Sequence, residues 1–294
     1  MEVSVFITSY NQREVLCEAV ESVLSQTYPA DQIIIVDDAS TDNSQDLIEG
    51  YRRQYPELFT VLLHKKNTGI SQVRINALNH VKSKYVTYLD GDDWFLPDKL
   101  MYEVSAIKDS PESKIVFSNN EYMNEDGSEF IFQWVDGEDV PEGDVFFQTF
   151  TRSFPRKSLF RMELVDYSAW KSIGFHDPCL ELYEDFDMRI RLTNKLHAKF
   201  VNKVLSRIRS HNVGLSSRKA EFHFYALDYI FKKNLSLLSA LPAGKQKSAA
   251  DLLSKWVRKH GHKAILEAMH AGKFNSVAKR VREVSYYHFP VRVK

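Results

Sequence analysis

The feature that most constrains the fold is an alternation of short apolar runs with amphipathic stretches in the first part of the chain. The apolar runs, rich in β-branched residues, are residues 3–7, 33–36, 61–63, 85–89 and 115–117. Between them, apolar residues recur at helical spacing over residues 15–24, 47–55, 70–81 and 100–107. Uniformly apolar strands are typical of parallel sheets with both faces covered, and strand–helix alternation builds such sheets. The pattern therefore predicts an α/β fold with a mostly parallel sheet flanked by helices.

The pattern changes after residue 119. Asn124 and Gly127 belong to a turn between two short extended runs, which predicts a β-hairpin. Residues 136–160 contain Gly, Pro and Phe without a clear period, and we expect them to be irregular. The region that follows residue 218 is rich in Leu, Ala and Lys, which predicts helices. The 294 residues are therefore divided into a sheet-containing domain over 1–218 and a helical C-terminal extension over 219–294.

Five aspartates follow directly on two of the predicted strands: Asp37, Asp38, Asp90, Asp92 and Asp93. Open α/β sheets bind their ligands at the carboxyl ends of the strands, so we expect both clusters at one edge of the sheet. Crowded carboxylates repel one another unless a positive charge lies between them. A hard divalent cation, which also binds diphosphate oxygens, is the natural partner. Gly91 lets the backbone turn tightly, so that the carboxylates on either side of it point into one cleft.

The same clusters have a structural interpretation. Asp-Gly-Asp-Asp is a good solvent-exposed turn, and paired aspartates at a strand end are able to cap the following helix. Two clusters at one sheet edge favour a functional interpretation over the structural one.

Five segments, in order, resemble the sequence blocks of family 2 glycosyltransferases. They are residues 3–11 (VSVFITSYN), 36–42 (VDDASTD), 67–76 (NTGISQVRIN), 88–94 (YLDGDDW) and 182–192 (LYEDFDMRIRL). The resemblance covers about residues 3–215. It implies the Rossmann-like GT-A fold and an inverting transfer of a sugar from a nucleotide diphosphate donor to an acceptor hydroxyl.

The resemblance also implies a donor site at the strand ends. Thr8 and Tyr10 match the pocket for the nucleotide base, and Asp38 matches the carboxylate that accepts a hydrogen bond from the base. Arg74 matches an arginine near the diphosphate. One residue separates Arg74 from Asn76 in this chain, whereas Arg and Asn are more often adjacent in the family, so Asn76 receives no role.

The metal-binding and catalytic residues follow from the same resemblance. Asp90 and Asp92 match the DxD motif, with Asp92 as the metal ligand, Asp90 near the ribose, and Asp93 as a supporting carboxylate. Asp185 matches the catalytic base, and His211 matches a late histidine that joins the metal or the diphosphate. The implied cation is Mn²⁺ or Mg²⁺, which stabilises the charge that develops on the leaving nucleotide. A base opposite the leaving group takes the acceptor proton, and one displacement inverts the anomeric carbon.

Each of these side chains also has an ordinary structural explanation. Arg189 stands four residues after Asp185, the spacing of a helical ion pair, which on a surface contributes only about 0.2–0.5 kcal/mol. His211 and Tyr10 have packing alternatives, and Arg74 has the alternative of an ion pair with any acidic neighbour. Burial is favoured over stacking on sugar rings for three tryptophans: Trp94, Trp134 and Trp170.

The preferred donor is a UDP-sugar, and the acceptor is a saccharide or a lipid-linked saccharide in the assembly of a surface polysaccharide or similar glycoconjugate. A nucleotidyltransferase or a metal-dependent phosphohydrolase stays open as a rival, because both use strand-end carboxylates with a divalent metal. This chain lacks their usual Asp-x-Asp after the first strand and Gly-rich basic loop near the N-terminus. A degenerate transferase that only binds carbohydrate is a second rival, which the intact Asp38, Asp92 and Asp185 oppose.

Charge and cysteine content bear on partners and compartment. The formal net charge is +0, so we expect no nucleic-acid partner. Residues 255–294 carry ten Lys and Arg against two Glu, and this region either contacts an anionic membrane surface or is a solvated helical face packed on the catalytic domain. Cys17 and Cys179 lie far apart in the sequence, so we expect no disulfide framework and a reducing compartment. We also find neither the pattern of a signal peptide nor an apolar run of about 18–20 residues, and we therefore predict a cytoplasmic protein. Membrane contact would place it at the inner face of the membrane.

Overall fold

The protein, seen in a computed structural model that describes residues 1–211 and 218–270, has one mixed sheet covered by helices. Within these ranges the strands are β1 (Val3–Ser9), β2 (Gln32–Asp37), β3 (Phe59–Leu63), β4 (Tyr85–Asp90), β5 (Trp94–Phe95), β6 (Ser113–Met123), β7 (Phe130–Gln133), β8 (Leu164–Asp166) and β9 (His197–Arg209). The α-helices are α1 (Arg13–Leu24), α2 (Ser44–Gln54), α3 (Ile70–Leu78), α4 (Lys99–Asp109), α5 (Phe146–Thr151), α6 (Tyr167–Ile173), α7 (Glu184–Thr193), α8 (Ala220–Asn234) and α9 (Ala243–His270).

The sheet is built from two parallel blocks joined by an antiparallel strand. The strand order is β3-β2-β1-β4-β8-β6-β9-β5, and β7 pairs with β6 beside this path. β1 is parallel to β2 and β4, and β2 is parallel to β3. β8 is antiparallel to both β4 and β6, whereas β6 and β9 are parallel. The prediction of a mostly parallel α/β sheet flanked by helices is confirmed.

The strand register brings three carboxyl ends to one edge of the sheet. All seven residues of β1 are buried, as expected of a central strand. Thr8 at its end pairs with Asp90 on β4, and Ser9 pairs with Asp37 on β2. The aspartates that follow β2 and β4 therefore lie on the same side of the molecule.

Local predictions after residue 119 had different outcomes. The hairpin is confirmed, because β6 and β7 pair antiparallel and the backbone of Asn124 donates a hydrogen bond to Glu129 across the turn. The expectation that residues 136–160 are irregular is wrong in part, because α5 lies within them and buries Phe146 and Phe150. A helix of six residues is too short to show a helical period in sequence. The three tryptophans for which burial was favoured are buried: Trp94, Trp134 and Trp170.

The helices that follow residue 218 confirm the predicted helical character and pack against the rest of the fold. On α8, Asn234 Nδ2 donates to Asp187 Oδ1 at 2.8 Å and Lys233 Nζ donates to Asp187 Oδ2 at 2.9 Å. On α9, Val257 and Ala264 belong to the same hydrophobic cluster as the sheet residues. The domain boundary after residue 218 stays a prediction from the sequence.

Part of the basic region 255–294 lies outside the described residues, namely 271–294. In the described part, Trp256 packs beneath Arg152, whose Cζ is 4.6 Å from a ring centroid, while Lys255 and Lys259 are exposed. This arrangement favours packing on the catalytic domain for α9. Across residues 1–211 and 218–270, no helix has the length and apolar character that a membrane span requires.

Candidate active site

Thr8 and Asp90 form the centre of the acidic sheet edge. Thr8 Oγ1 donates to Asp90 Oδ1 at 3.1 Å, and the backbone N–H of Gly91 donates to the Thr8 carbonyl at 2.9 Å. A Cβ on Gly91 would lie 2.7 Å from that carbonyl oxygen and 2.7 Å from Gln12 Oε1. Glycine is therefore required here by the close approach of β1, and Gly91 is not among the residues with positive φ.

Arg74 connects this edge to the start of α7. Its Nη2 donates to Asp90 Oδ1 at 2.8 Å and its Nη1 donates to Glu184 Oε1 at 3.0 Å. The guanidinium is buried and lies 4.7 Å above the ring of Tyr88. Both terminal nitrogens of the Arg74 guanidinium are thus bound by carboxylates, and the predicted ion pair with an acidic neighbour is present. Its predicted place near the diphosphate stays a prediction.

Asp92 and His211 meet at the end of β4. Asp92 Oδ2 and His211 Nε2 are 2.9 Å apart, although 119 residues separate them along the chain. Arg209 holds this turn, because its side chain donates to the Asp92 carbonyl and to Glu18, and its backbone N–H donates to Asp93 Oδ1 at 2.9 Å. The contact brings together the two residues that the family resemblance assigns to the metal.

The aspartates of this turn differ in proton affinity. At Asp90, burial alone would raise the pKa, but the charges of Arg74 and Arg161 outweigh it and lower the pKa below its usual value. At Asp92, burial and the charge of Asp90 raise the pKa. At Asp93, burial and the charge of Asp92 raise the pKa well above its usual value. The turn therefore carries more negative charge than its protein neighbours balance.

Asp185 lies in the first turn of α7, where the helix dipole favours a negative charge. Its Oδ2 accepts from Arg189 Nη1 at 2.5 Å, and Arg189 also donates to Glu163 through Nε at 2.9 Å and Nη2 at 3.0 Å. The helical pair weighed from the sequence is thus present, but Arg189 is fully buried, so it is no surface contact. This pairing does not test the predicted role of Asp185 as base.

The two carboxyls at the start of α7 titrate in opposite directions. Burial would raise the pKa of Asp185, but the charges of Arg189, Arg74 and Arg161 hold it well below its usual range. Burial raises the pKa of the adjacent Glu184 to about 7, against the opposing charge of Arg74. Asp185 is therefore ionised at neutral pH, while Glu184 exchanges its proton there.

Asp38 lies at the end of β2 and organises the loop before α3. Its Oδ1 accepts from the backbone N–H of Thr68 at 2.8 Å and is 2.8 Å from His64 Nδ1, and its Oδ2 accepts from the Gly69 N–H at 2.9 Å. Burial works against ionisation, but these hydrogen bonds lower the pKa of Asp38. Asn76 Nδ2 is 2.8 Å from His64 Nε2, so Asn76, to which no role was assigned from the sequence, supports the same loop.

Tyr10 stands apart from these networks. Its side chain is 48% exposed just beyond the end of β1. An exposed ring at the carboxyl end of a central strand is accessible to a nucleotide base, so the predicted role of Tyr10 is compatible with its position and stays a prediction.

The sequence matches, over residues 4–165, the profile of the family described as glycosyl transferase family 2. The chain belongs to glycosyl transferase family 2. The resemblance drawn from the five sequence blocks is therefore confirmed.

Two relatives illustrate the family. The chain is 36% identical over 128 residues to the putative teichuronic acid biosynthesis glycosyltransferase TuaG of Bacillus subtilis (strain 168). The aligned residues are 43% of this chain and 49% of TuaG. The chain is 38% identical over 102 residues to the uncharacterized glycosyltransferase YibD of Escherichia coli (strain K12), which covers 35% of this chain and 28% of YibD. The match thus spans less than half the length of either relative.

Solved structures resemble nearly the whole family 2 chain. S. aureus TarS 1–349 in complex with UDP-GlcNAc has a TM-score of 0.72 at 16% identity, over 97% of this chain and 82% of that one. The mannosyltransferase PcManGT from Pyrobaculum calidifontis, in complex with GDP-Man and Mn²⁺, has a TM-score of 0.62 at 15% identity, over 99% and 81%. At these identities the likeness concerns the fold alone, and it confirms the GT-A fold.

The side chains of this family 2 site fit a divalent cation that is shared with a ligand. Within residues 1–211 and 218–270, no group of three or more His, Cys, Asp or Glu is arranged to hold a metal ion. Asp92 and His211 nevertheless offer one carboxylate oxygen and one imidazole nitrogen side by side. Two protein ligands suffice for a cation whose remaining positions are filled by diphosphate oxygens and water.

Three residues of the site were not assigned from the sequence: Glu163, Glu184 and Arg209. Glu184 was visible as the neighbour of Asp185 in the fifth block, and its raised pKa depends on burial. Arg209 stands two residues before His211, but its contact with Glu18 joins distant parts of the chain. No sequence signal marks Glu163, because its partner Arg189 is 26 residues away.

Proposed function

We propose that this family 2 chain transfers a sugar from a nucleotide diphosphate sugar, preferably a UDP-sugar, to an acceptor hydroxyl. The transfer is a single displacement with inversion, in which Asp185 takes the acceptor proton. Asp92 and His211 hold a divalent cation, Mn²⁺ or Mg²⁺. Six residues bind the donor: Thr8, Tyr10, Asp38, Arg74, Asp90 and Asp93.

The observation that carries the proposal is the buried bridge of Arg74 between Asp90 and Glu184. It joins the strand end that bears the DxD residues to the helix start that bears Asp185. A donor held by the first element and a base held by the second are thereby fixed relative to each other. Fixing two reacting groups in this way removes much of the entropic cost of the reaction.

The base side supports proton transfer from the acceptor. Asp185 is ionised at neutral pH, and Arg189 fixes one of its oxygens from behind. Its side chain is 29% exposed, so an acceptor hydroxyl has access to it. The low pKa keeps Asp185 deprotonated, so its carboxylate is free to accept the proton of the acceptor hydroxyl as the new bond forms.

The donor side supports nucleotide binding. Among its described contacts, Asp38 Oδ2 accepts one hydrogen bond, from Gly69, and a carboxylate oxygen is able to accept another. Tyr10 offers an exposed ring for stacking against the base. When bound, the cation supplies electrostatic stabilisation of the leaving diphosphate.

The test is nucleotide release from a panel of sugar nucleotides, measured with and without Mn²⁺ and with and without a mixture of saccharide acceptors. We expect release that needs both the metal and an acceptor, and that is lost in Asp185→Asn. A thermal-shift screen of the same donors identifies the nucleotide, since a ligand that binds the folded state raises the melting temperature. Stabilisation by sugar nucleotides without transfer to any acceptor would favour the binding-module rival.

The setting of the reaction is also a proposal. The relative TuaG, named as a putative teichuronic acid biosynthesis glycosyltransferase, supports assembly of a surface polysaccharide. The acceptor is then a saccharide or a lipid-linked saccharide. We keep the cytoplasmic location predicted from the sequence. Peripheral contact of residues 255–294 with the inner membrane face stays the alternative to packing on the catalytic domain, which the contacts of α9 favour.

Membrane contact is tested by flotation with anionic liposomes, comparing the full chain with a chain ended at residue 254. Binding that disappears with residues 255–294 supports the contact. Equal flotation of the two chains, or none by either, rejects it.

A further inference from the structure

The arginines around the cleft differ in how their donors are used. Arg74 is held by Asp90 and Glu184, and Arg189 is held by Glu163 and Asp185. Arg161 is half-buried, yet within residues 1–211 and 218–270 its guanidinium donates no hydrogen bond and forms no ion pair. A guanidinium carries five N–H donors and always a positive charge, so five donors are left for a ligand or for water.

The backbone around Arg161 is held firmly beside β4. The carbonyl of Met162 accepts from Thr87 Oγ1 at 2.9 Å and from the buried Lys99 Nζ at 2.8 Å. On the other side, Phe160 is fully buried and stacks on Phe117 with ring centroids 4.3 Å apart. The Arg161 side chain therefore projects from a fixed point.

The neighbours of Arg161 along the chain place it between β4 and α7. Thr87 of β4 donates to the carbonyl of Met162, and the Cζ of Arg189 on α7 lies 5.4 Å from the ring centroid of Phe160. In agreement with this position, Tyr122, followed by Tyr88, Asp185 and Asp93, holds the pKa of Arg161 above its usual range. Asp93 belongs to the turn after β4, and Asp185 to the first turn of α7.

The nearby carboxylates have other partners. Asp90 is bound by Arg74 and Thr8, Asp93 by the backbone of Arg209, and Asp185 by Arg189. They attract Arg161 through space without using its donors. Because Arg161 is half-buried and none of its nitrogens is sealed in the interior, its open donors are accessible to a ligand that offers acceptor atoms.

We propose that Arg161 binds a carboxylate or phosphate group of a substrate, carried either by the transferred sugar or by the acceptor, and distinct from the diphosphate of the donor. The inference rests on the proposed function and deepens it to the substrate class. A planar guanidinium binds such anions through two parallel hydrogen bonds, which a neutral hydroxyl cannot offer. The diphosphate is assigned to the cation that Asp92 and His211 are proposed to hold.

The experiment compares Arg161→Gln with the wild type and with Arg156→Gln. Arg156 has the same charge, is exposed, and binds the Gln133 carbonyl outside the site. Donor binding is measured by calorimetry with Mn²⁺ for UDP, UDP-glucose and UDP-glucuronate. Transfer is measured on paired acceptors with and without a phosphate or carboxylate group.

If the anion is on the sugar, Arg161→Gln weakens UDP-glucuronate binding about tenfold or more and leaves UDP and UDP-glucose within about twofold. If the anion is on the acceptor, donor binding is unchanged and KM rises about tenfold for charged acceptors alone. Arg156→Gln should behave as the wild type in both arms.

Three outcomes would overturn the proposal: equal loss for charged and neutral substrates, weaker binding of UDP itself, or no effect of Arg161→Gln on any charged substrate. A wild type that releases no nucleotide for any pair instead contradicts the proposed function. The calorimetric arm still decides whether Arg161 discriminates a charged sugar in that case.

Discussion

The two acidic regions of the cleft balance their charge in different ways. At the start of α7, each carboxylate has a buried arginine, since Arg74 binds Glu184 and Arg189 binds Asp185. At the turn after β4, Asp92 contacts the imidazole of His211 and Asp93 accepts a backbone N–H, and neither carboxylate is paired with an arginine within residues 1–211 and 218–270. At the helix start the pKa of Asp185 is lowered, while at Glu184 burial outweighs the charge of Arg74 and raises the pKa to about 7. At Asp92 and Asp93 the charge of a neighbouring aspartate adds to the effect of burial, and both pKa values are raised.

This difference indicates which part of the site is complete without a ligand. The helix start is held by internal ion pairs and is preorganised for its role. The strand-end turn is short of positive charge, which the proposed cation would supply. Substitutions at the helix start should therefore lower the rate of transfer, whereas substitutions at the strand-end turn should lower the affinity for the metal and the donor.

The largest effect is expected from Asp185→Asn. It removes the base without disturbing the strand-end turn, so transfer should fall about 1,000-fold while donor affinity stays within about twofold. Steady-state transfer and calorimetry of the donor with Mn²⁺ separate the two quantities. Transfer near the wild-type rate would remove Asp185 from the mechanism, and parallel loss of donor affinity would erase the contrast between the two regions.

Asp92→Ala should act on the other region and lower metal affinity about 10–100-fold, with donor affinity and transfer falling together. A Mn²⁺ titration of nucleotide release gives the apparent metal affinity. Since the substitution also removes an uncompensated carboxylate, we expect the melting temperature of the metal-free protein to stay the same or rise. An unchanged Mn²⁺ titration would show that the cation is held elsewhere.

The double variant Glu163→Gln with Arg189→Met tests how the helix start is preorganised. Removing both partners avoids an unpaired buried charge, which would cost about 3–5 kcal/mol in Arg189→Met alone. Arg189 contributes the largest of the charges that lower the pKa of Asp185, so without it this pKa rises, although Arg74 and Arg161 still oppose burial. Protonation then begins at higher pH, and the acid limb of the transfer rate should move up by about one pH unit.

That profile is measured at saturating Mn²⁺ and donor, with the melting temperature as a control for folding. An acid limb at the wild-type pH would show that Asp185 does not depend on Arg189. A uniform loss of rate at every pH would indicate displacement of the base and not a change in its proton affinity.

The smallest effect is expected from Tyr10→Ala. Stacking of a base on an aromatic ring contributes about 1–3 kcal/mol, and the lower value corresponds to about fivefold weaker binding of UDP for this exposed ring. Tyr10→Phe keeps the ring and should bind UDP like the wild type. An unchanged affinity of Tyr10→Ala for UDP in calorimetry would contradict stacking of the nucleotide base on Tyr10.

The apolar pattern was sufficient for the main elements of the fold. The strands predicted at residues 3–7, 33–36, 61–63 and 85–89 lie within β1 to β4, because short apolar runs rich in β-branched and aromatic residues favour strands. The antiparallel insertion of β8 was not predicted. Three residues without alternation carry no signal of direction, which is set by the neighbours on both sides.

At the site, the sequence located the carboxylates but not their partners. The position of Asp90 at a strand end follows from the pattern. Its contact with Arg74, and the contact of Arg74 with Glu184 across 110 residues, depend on how α3 and α7 pack against the sheet. The same limit applies to Asp92 and His211, which the family resemblance paired and which local sequence alone does not.

The sequence by itself determined the family, the order of strands and helices, and which acidic side chains stand at strand ends, because these follow from local periodicity and short motifs. The tertiary structure decided which carboxylates are balanced. Burial and ion pairing depend on contacts between distant segments, such as Glu163 with Arg189 and Glu18 with Arg209. For the same reason, only the packed structure distinguishes the ionised Asp185 from its neighbour Glu184, and the open donors of Arg161 from the carboxylate-bound Nη1 and Nη2 of Arg74.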